Sequence, residues 1–271
     1  MNKRRLLIRL IPVAIAAAVI LFQFSSSEKF TNEAGRTARH ALNPRQEEAL
    51  GLQSYQLILG ESAVEMTGPE YDMVVRVAQR LAAATGSAAT SLNWHVSLVR
   101  NSQVNAFCLP GGKIVVYTGL LPVAETEAGL ATVMGHEMAH ATLRHGSERL
   151  LQETATQTFL SGFQASFSDM TLAQQHALMG AIGAGARYGV LLPFSRGHES
   201  EADKIGLLYM ARAGYDPAEA VEFWQRMSQA SAGDGKPPEF MSTHPADSTR
   251  IEQLKKLLPQ AQAEYKRARP Q

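Results

Sequence analysis

"VMGHEMAHATLRHG", residues 133–146, carries His136, Glu137, His140 and His145 close together. On a helix, positions i and i+4 lie about one turn apart on nearly the same face, so His136 and His140 aim two imidazoles at one point. Glu137 is rotated about 100° from His136, turned off that point but within reach of a water beside it. Two neutral ligands, a general base and an open position are what metal-assisted hydrolysis requires. The alternative is a surface helix with scattered His and Glu. His145 lies about 140° round from His140 and reads as a solvent-facing residue at a helix C-terminus, where positive charge is favoured.

A hydrolytic site of this kind needs a third protein ligand. Leu143 and Gly146 stand where the HExxHxxGxxH arrangement would require Gly and His. Downstream, "HESEAD" offers His198, Glu199, Glu201 and Asp203. Glu199 and Asp203 share a helical face, and Glu201 points about 200° away from Glu199. The spacing predicts Glu199 as third ligand and Asp203 as acceptor for the free ring N–H of a ligand histidine. Glu201 reads as a surface charge or helix-cap group; a salt-bridged face is the bland alternative for all three acids.

The remaining composition narrows the chemistry. Lys+Arg 26 against Asp+Glu 25 gives a formal charge of +1, so no overall field argues for nucleic acid. The single cysteine, Cys108, excludes an intrachain disulfide framework and a cysteine-rich zinc ribbon, leaving a metal to His and carboxylate ligands. Cys108 itself reads as a small, buried or half-buried apolar residue. Lys3, Arg4, Arg5 and Arg9 precede an almost wholly apolar run from Leu10 to Phe24. That pattern predicts a signal anchor or signal peptide over residues 1–25, the uncleaved anchor preferred, with the basic end cytoplasmic.

A linker is expected over 26–44, one metallopeptidase-sized domain over 45–260, and a polar tail over 261–271. Helices are expected over 45–60 and 69–85, a strand over 93–100, and two short strands within 104–121 around Pro110-Gly111-Gly112. A helix over 124–144 is expected to stop at Gly146. Residues 170–196, apolar and glycine-rich, read as a packed helix ahead of a lid or a membrane-touching element. A helix from 198 stops at Gly214, Asp216 opens a capping box with Glu219, residues 231–240 form a loop, and the last helix starts near Pro245. His244, before Pro245, could cap that helix or stabilise the oxyanion of a tetrahedral intermediate. Arg196 and Arg250 read as structural ion-pair partners.

"HEMAH" followed by "SRGHESEADKIG", with "NAFCLPGGKIVVYTGLL" before and "STHPADSTRI" after, resembles the zinc metallopeptidase family of HtpX, the CaaX prenyl protease, the mitochondrial OMA-type protease and periplasmic BepA-like proteases. The resemblance runs from about residue 40 to 257. It implies an α+β, mostly helical zincin-like (gluzincin) domain with a small sheet edging the cleft, and one zinc ion per chain. It implies an endopeptidase acting on unfolded, misfolded or damaged envelope proteins, Glu137 being the base. It further implies that Asn105, Ala106 and Phe107 lie on an edge strand where an extended substrate pairs, and that His244 can act as a regulatory fourth ligand. The implied location is the bacterial cell envelope, anchored in the inner membrane or free in the periplasm. HtpX and the prenyl protease have several membrane spans, against at most one here, so an embedded or prenylated substrate does not carry over. The rival reading is a membrane-tethered chaperone-like module with a capped, inactive zinc site.

Overall fold

Proline and glycine punctuation, with apolar periodicity between, sets most element ends. The computed structural model describes residues 3–89, 92–167, 170–186, 191–231, 238–244 and 248–268. The helices are α1 (Lys3–Ser26), α2 (Pro44–Gly60), α3 (Pro69–Ala84), α4 (Leu121–Ala124), α5 (Glu127–Thr142), α6 (His145–Ser166), α7 (Leu172–Ala186), α8 (Leu192–Arg212), α9 (Glu219–Ser231), α10 (Glu239–Thr243) and α11 (Ser248–Ala268). The strands are β1 (Glu28–Thr31), β2 (Thr37–His40), β3 (Val64–Glu65), β4 (His95–Val99), β5 (Ala106–Leu109) and β6 (Lys113–Tyr117). The fold is α+β and mostly helical, as expected. The chain divides into two compact units, the first formed by residues 1–31, 37–43 and 145–197, the second by 32–36, 44–144 and 198–271. Residues 145–197 therefore group with the N-terminal segment.

In the first unit α1 packs against α6. Their backbones approach closely at Gly162, where a Cβ would stand 2.4 Å from that of Ala16. β1 and β2 form an antiparallel pair, Glu28 opposite His40 and Thr31 opposite Thr37. On α1, Leu10, Ile11, Ile15, Leu21 and Phe22 are exposed. Among the described residues, no helix is long and apolar enough to cross a membrane. The glycine-rich segment does form a helix, α7, which packs against α6, its described side chains being exposed or half-buried.

The second unit is built round α5, buried on nearly every face, as an apolar central helix must be. It packs on α3, α9 and β5. Leu130, Val133, Met134 and Met138 join Leu98, Ile114, Val116, Phe223 and Trp224 in one core. The sheet order is β3-β4-β6-β5, with β4 and β6 parallel, the other pairs antiparallel, and β5 at the edge. Thr126 caps α5 by accepting the Gly129 N–H at 3.0 Å, a device worth about 1 kcal/mol. Where α8 meets α5, glycine faces glycine: a Cβ on Gly206 would lie 2.7 Å from the His136 nitrogen, and one on Gly135 would lie 3.0 Å from the Gly206 carbonyl oxygen.

Several ends differ from the sequence expectation. α5 stops at Thr142 because Arg144 adopts φ 58, outside the helical region. Its guanidinium is held there by a buried pair with Glu47, Nε to Oε1 at 3.1 Å. Gly146 thus lies inside α6, and His145 opens that helix as a buried residue, not a solvent-facing one at a C-terminus. Glu219 does not complete a capping box but pairs with Arg226 at 2.7 Å. Phe240, assigned to a loop, sits in α10; residues 232–237 and Pro245 lie outside the described residues.

Candidate metal centre

The helical repeat of α5 brings His136 and His140 together, their Nε2 atoms 3.1 Å apart. From α8, Glu199 sets Oε2 3.3 Å from His136 Nε2 and Oε1 3.3 Å from His140 Nε2. His244, at the end of α10, places Nδ1 3.3 Å from His136 Nε2 and 3.1 Å from each Glu199 oxygen. One ligand atom from each of the four lies within 4.8 Å of the others. Donors bound at 2.0–2.1 Å round a tetrahedral ion stand about 3.3 Å from one another. The spacing of these nitrogen and oxygen atoms therefore fits a metal ion, whose charge would also relieve the crowding of their lone pairs.

The surroundings fix the ligands. Asp203 Oδ1 lies 3.0 Å from His136 Nδ1, which holds that nitrogen's proton and turns the Nε2 lone pair inward. Arg250 grips Asp203 in bidentate fashion, Nε to Oδ2 at 2.6 Å and Nη2 to Oδ1 at 2.7 Å. Its Nη1 lies 3.2 Å from Glu199 Oε2 and donates to the His244 carbonyl at 3.3 Å. The guanidinium rests 3.7 Å over the Trp224 ring. Phe240 stacks on His244 with centroids 4.7 Å apart, and its N–H donates to Val104 O at 3.2 Å, tying α10 to the approach to β5.

Electrostatics follow from this crowding. Burial and the Arg250 charge work against a proton on His136, but Asp203 and Glu199 outweigh them and raise its pKa to about 9 in the metal-free protein. Burial likewise opposes the Glu199 carboxylate, yet hydrogen bonds from His136, His140 and His244 hold it well below the usual range. Asp203 is buried too, and the Arg250 charge and His136 keep it ionised below its ordinary value.

Glu137 is buried beside the cluster. Its Oε2 accepts the Cys108 N–H at 3.2 Å. Its Oε1, 3.3 Å from His244 Nε2, accepts no hydrogen bond among the described residues. Burial, then the Glu137 charge, push the Cys108 thiol well up. β5 is the edge strand expected from the resemblance. Asn105 O already accepts the Tyr117 N–H at 3.1 Å. Since antiparallel strands alternate inward and outward main chains, Asn105 and Phe107 turn theirs to β6. Ala106 and Cys108 turn theirs to the free edge.

His136, His140, Glu199, Asp203, Glu137 and His244 are thus brought together. Glu201 is not a surface charge: it pairs with Arg36, Nε to Oε1 at 2.5 Å. Arg250, read from sequence as a structural pair, touches four of these residues, His136, Glu199, Asp203 and His244, whereas Arg196 is exposed. Trp224 and Phe240, the aromatic backing of His136 and His244, were not found by sequence reasoning; their only sequence signal is aromatic residues on an amphipathic helix and beside His244.

Comparison with known proteins gives the family. The model of Peptidase family M48 matches residues 69–258. The mitochondrial metalloendopeptidase OMA1 of Schizosaccharomyces pombe is 37% identical over 220 residues, covering 80% of this chain and 62% of that protein. OMA1 of Saccharomyces cerevisiae is 32% identical over 235 residues, 81% of this chain and 66% of that one. The beta-barrel assembly-enhancing protease of Escherichia coli is 30% identical over 233 residues, 84% of this chain and 47% of that one. The chain spans about half to two thirds of the length of these three relatives.

Proposed function

The chain belongs to peptidase family M48 and is a metallopeptidase by that membership, and we propose that it is a zinc endopeptidase with His136, His140 and Glu199 as ligands and Glu137 as general base. The observation that carries this reading is the convergence of those three ligands on one point with a buried carboxylate beside it. Zinc bound there supplies a Lewis acid that makes water nucleophilic near neutral pH and polarises the scissile carbonyl.

The chain's own residues do the rest. Asp203 keeps His136 in the tautomer that presents Nε2. Arg250 offsets the charge of the buried Asp203 and the half-buried Glu199, two carboxylates that would otherwise repel. The Cys108 N–H fixes one oxygen of Glu137, so the other is free to take the proton of the attacking water and pass it to the departing amine. The Ala106 main chain and the Cys108 carbonyl lie at the free edge of β5, where an extended peptide adds as a strand whatever its side chains. Such pairing suits unfolded or misassembled protein substrates, and their removal is the role we assign.

Glu137→Gln is expected to retain zinc and lose cleavage of casein; turnover by a clean preparation of that variant would sink the assignment. His244 stands within reach of both the ligand cluster and Glu137 Oε1, which supports a capping role, with the zinc closed off at rest. If it caps, His244→Ala raises basal activity; if it assists the reaction, the same change lowers it. That capped state also keeps a chaperone-like module as second reading, and casein cleavage abolished by chelator and restored by zinc rules it out.

The reading extends to the cell envelope. The basic N-terminus and the exposed Leu10, Ile11, Ile15, Leu21 and Phe22 support contact of α1 with a membrane, the catalytic residues lying on the periplasmic side.

A further inference from the structure

Resting on the metal-centre reading above, we propose that Asn32–Arg36 is a strap that sets the angle of α8, making Asn32, Glu33 and Arg36 positioning residues for Glu199. Three polar side chains of this short segment all reach one helix. Arg36 donates to Glu201 through Nε at 2.5 Å and Nη2 at 3.2 Å, and Asn32 Nδ2 donates to Glu201 Oε2 at 3.1 Å. Glu33 Oε2 accepts from the Tyr209 hydroxyl at 2.6 Å, and its Oε1 from Arg212 Nη1 at 2.9 Å.

The strap is itself closed. Asn32 Oδ1 accepts the Arg36 N–H at 3.0 Å, its own N–H donates to Arg36 O at 2.9 Å, and Gly35 turns the chain at φ 86. Asn32 is buried. The Tyr209 hydroxyl also lies 2.9 Å from Thr142 Oγ1 on α5, two residues beyond His140. The two helices that hold the ligands are thereby joined through one buried phenol.

Leverage explains why such a strap matters. α8 touches α5 backbone to backbone at Gly206, and that contact is a fulcrum. Glu199 lies seven residues before it, about 10 Å along the axis, so a tilt of about 6° moves the carboxylate by about 1 Å. Ligand constellations tolerate about 0.5 Å. The strap binds α8 on both sides of the fulcrum, Glu201 before it and Tyr209 with Arg212 after it, and so resists that tilt.

The test is zinc affinity of the full chain, measured by competition with a chromophoric chelator, for Arg36→Glu, Glu201→Arg, their combination, Glu201→Gln and Tyr209→Phe. Each charge reversal is expected to weaken zinc about tenfold, the lower end for groups outside the ligand set, and the double reversal to regain most of the loss. The milder Glu201→Gln and Tyr209→Phe are expected to weaken zinc severalfold while the metal-free protein unfolds at its usual temperature; they decide the matter if a reversal fails to fold. Unchanged zinc affinity in these variants overturns the strap, as does a double reversal no better than the singles. If His136→Ala binds zinc as tightly as the wild type, the metal-centre reading has failed instead, and the strap with it.

Discussion

Asp203 serves two masters, the His136 ring on one side and the Arg250 guanidinium on the other, with both charged groups of the pair almost wholly buried. Asp203→Asn keeps the shape but removes the charge. The buried Arg250 then loses its main partner, a change that costs about 3–5 kcal/mol when an ion pair of this kind is broken. Zinc affinity is expected to fall 10–100-fold, as for other partners of ligand histidines. Denaturant melts of the metal-free protein and chelator competition measure the two effects separately. The candidate ligands His136, His140 and Glu199, with Asp203 behind them, were legible in the sequence, because His136/His140 and Glu199/Asp203 obey a spacing that any helix converts into a shared face. Arg250, Glu201 and His145 were not legible. Their roles depend on which distant residues approach them, and neither a lone arginine nor a lone histidine advertises that.

Between elements, the crossing of α5 and α8 is set by two glycines. Gly206→Ala places a methyl against the His136 main chain, so the helices must part at the contact from which His136 projects, shifting Glu199 further along α8. Alanine's helix preference returns about 1 kcal/mol, while overpacking of a tight contact costs about 1–3 kcal/mol. The thermal midpoint is expected to drop modestly and zinc affinity with it. At the start of α5, burial pushes the Glu127 carboxyl up, but hydrogen bonds from Arg76 and Tyr215 outweigh it and lower its pKa. A depressed carboxylate adds stability above its ordinary pKa, and the contribution vanishes as acid protonates it. Glu127 is partly exposed, so the advantage of wild type over Glu127→Gln is about 0.5–1 kcal/mol at pH 7. That gap is expected to close in urea melts taken at progressively lower pH, below the usual carboxylate range. Element ends were the least legible part: a left-handed Arg144, held by Glu47, stops α5 where the residue pattern points to Gly146.

At the scale of the whole molecule, the candidate ligands come from α5, α8 and the end of α10, so an ion bound by them ties together stretches far apart in the chain. A ligand that binds only the folded state stabilises it by about 2.7 kcal/mol at a hundredfold excess over its Kd. Chelation is therefore expected to lower the thermal midpoint of the wild type, and zinc to restore it, with His136→Ala insensitive to both. The fold class was the one implied by the resemblance to the zinc metallopeptidase family, and the helical and strand patterns along the chain agreed with it. The grouping of residues 145–197 with the N-terminal segment did not, since it rests on the close fit of Gly162 against Ala16, a contact between residues far apart in sequence.

Cys108 gives this protein a built-in clock. It is the only thiol in the chain, it lies on the edge strand, and its own N–H is spent on Glu137. With its pKa driven up, it holds little thiolate at neutral pH. Alkylation of the half-buried thiol in the native protein is therefore expected to be slow. The labelling rate reports on the strand edge, and an occupant seated along it would slow the clock.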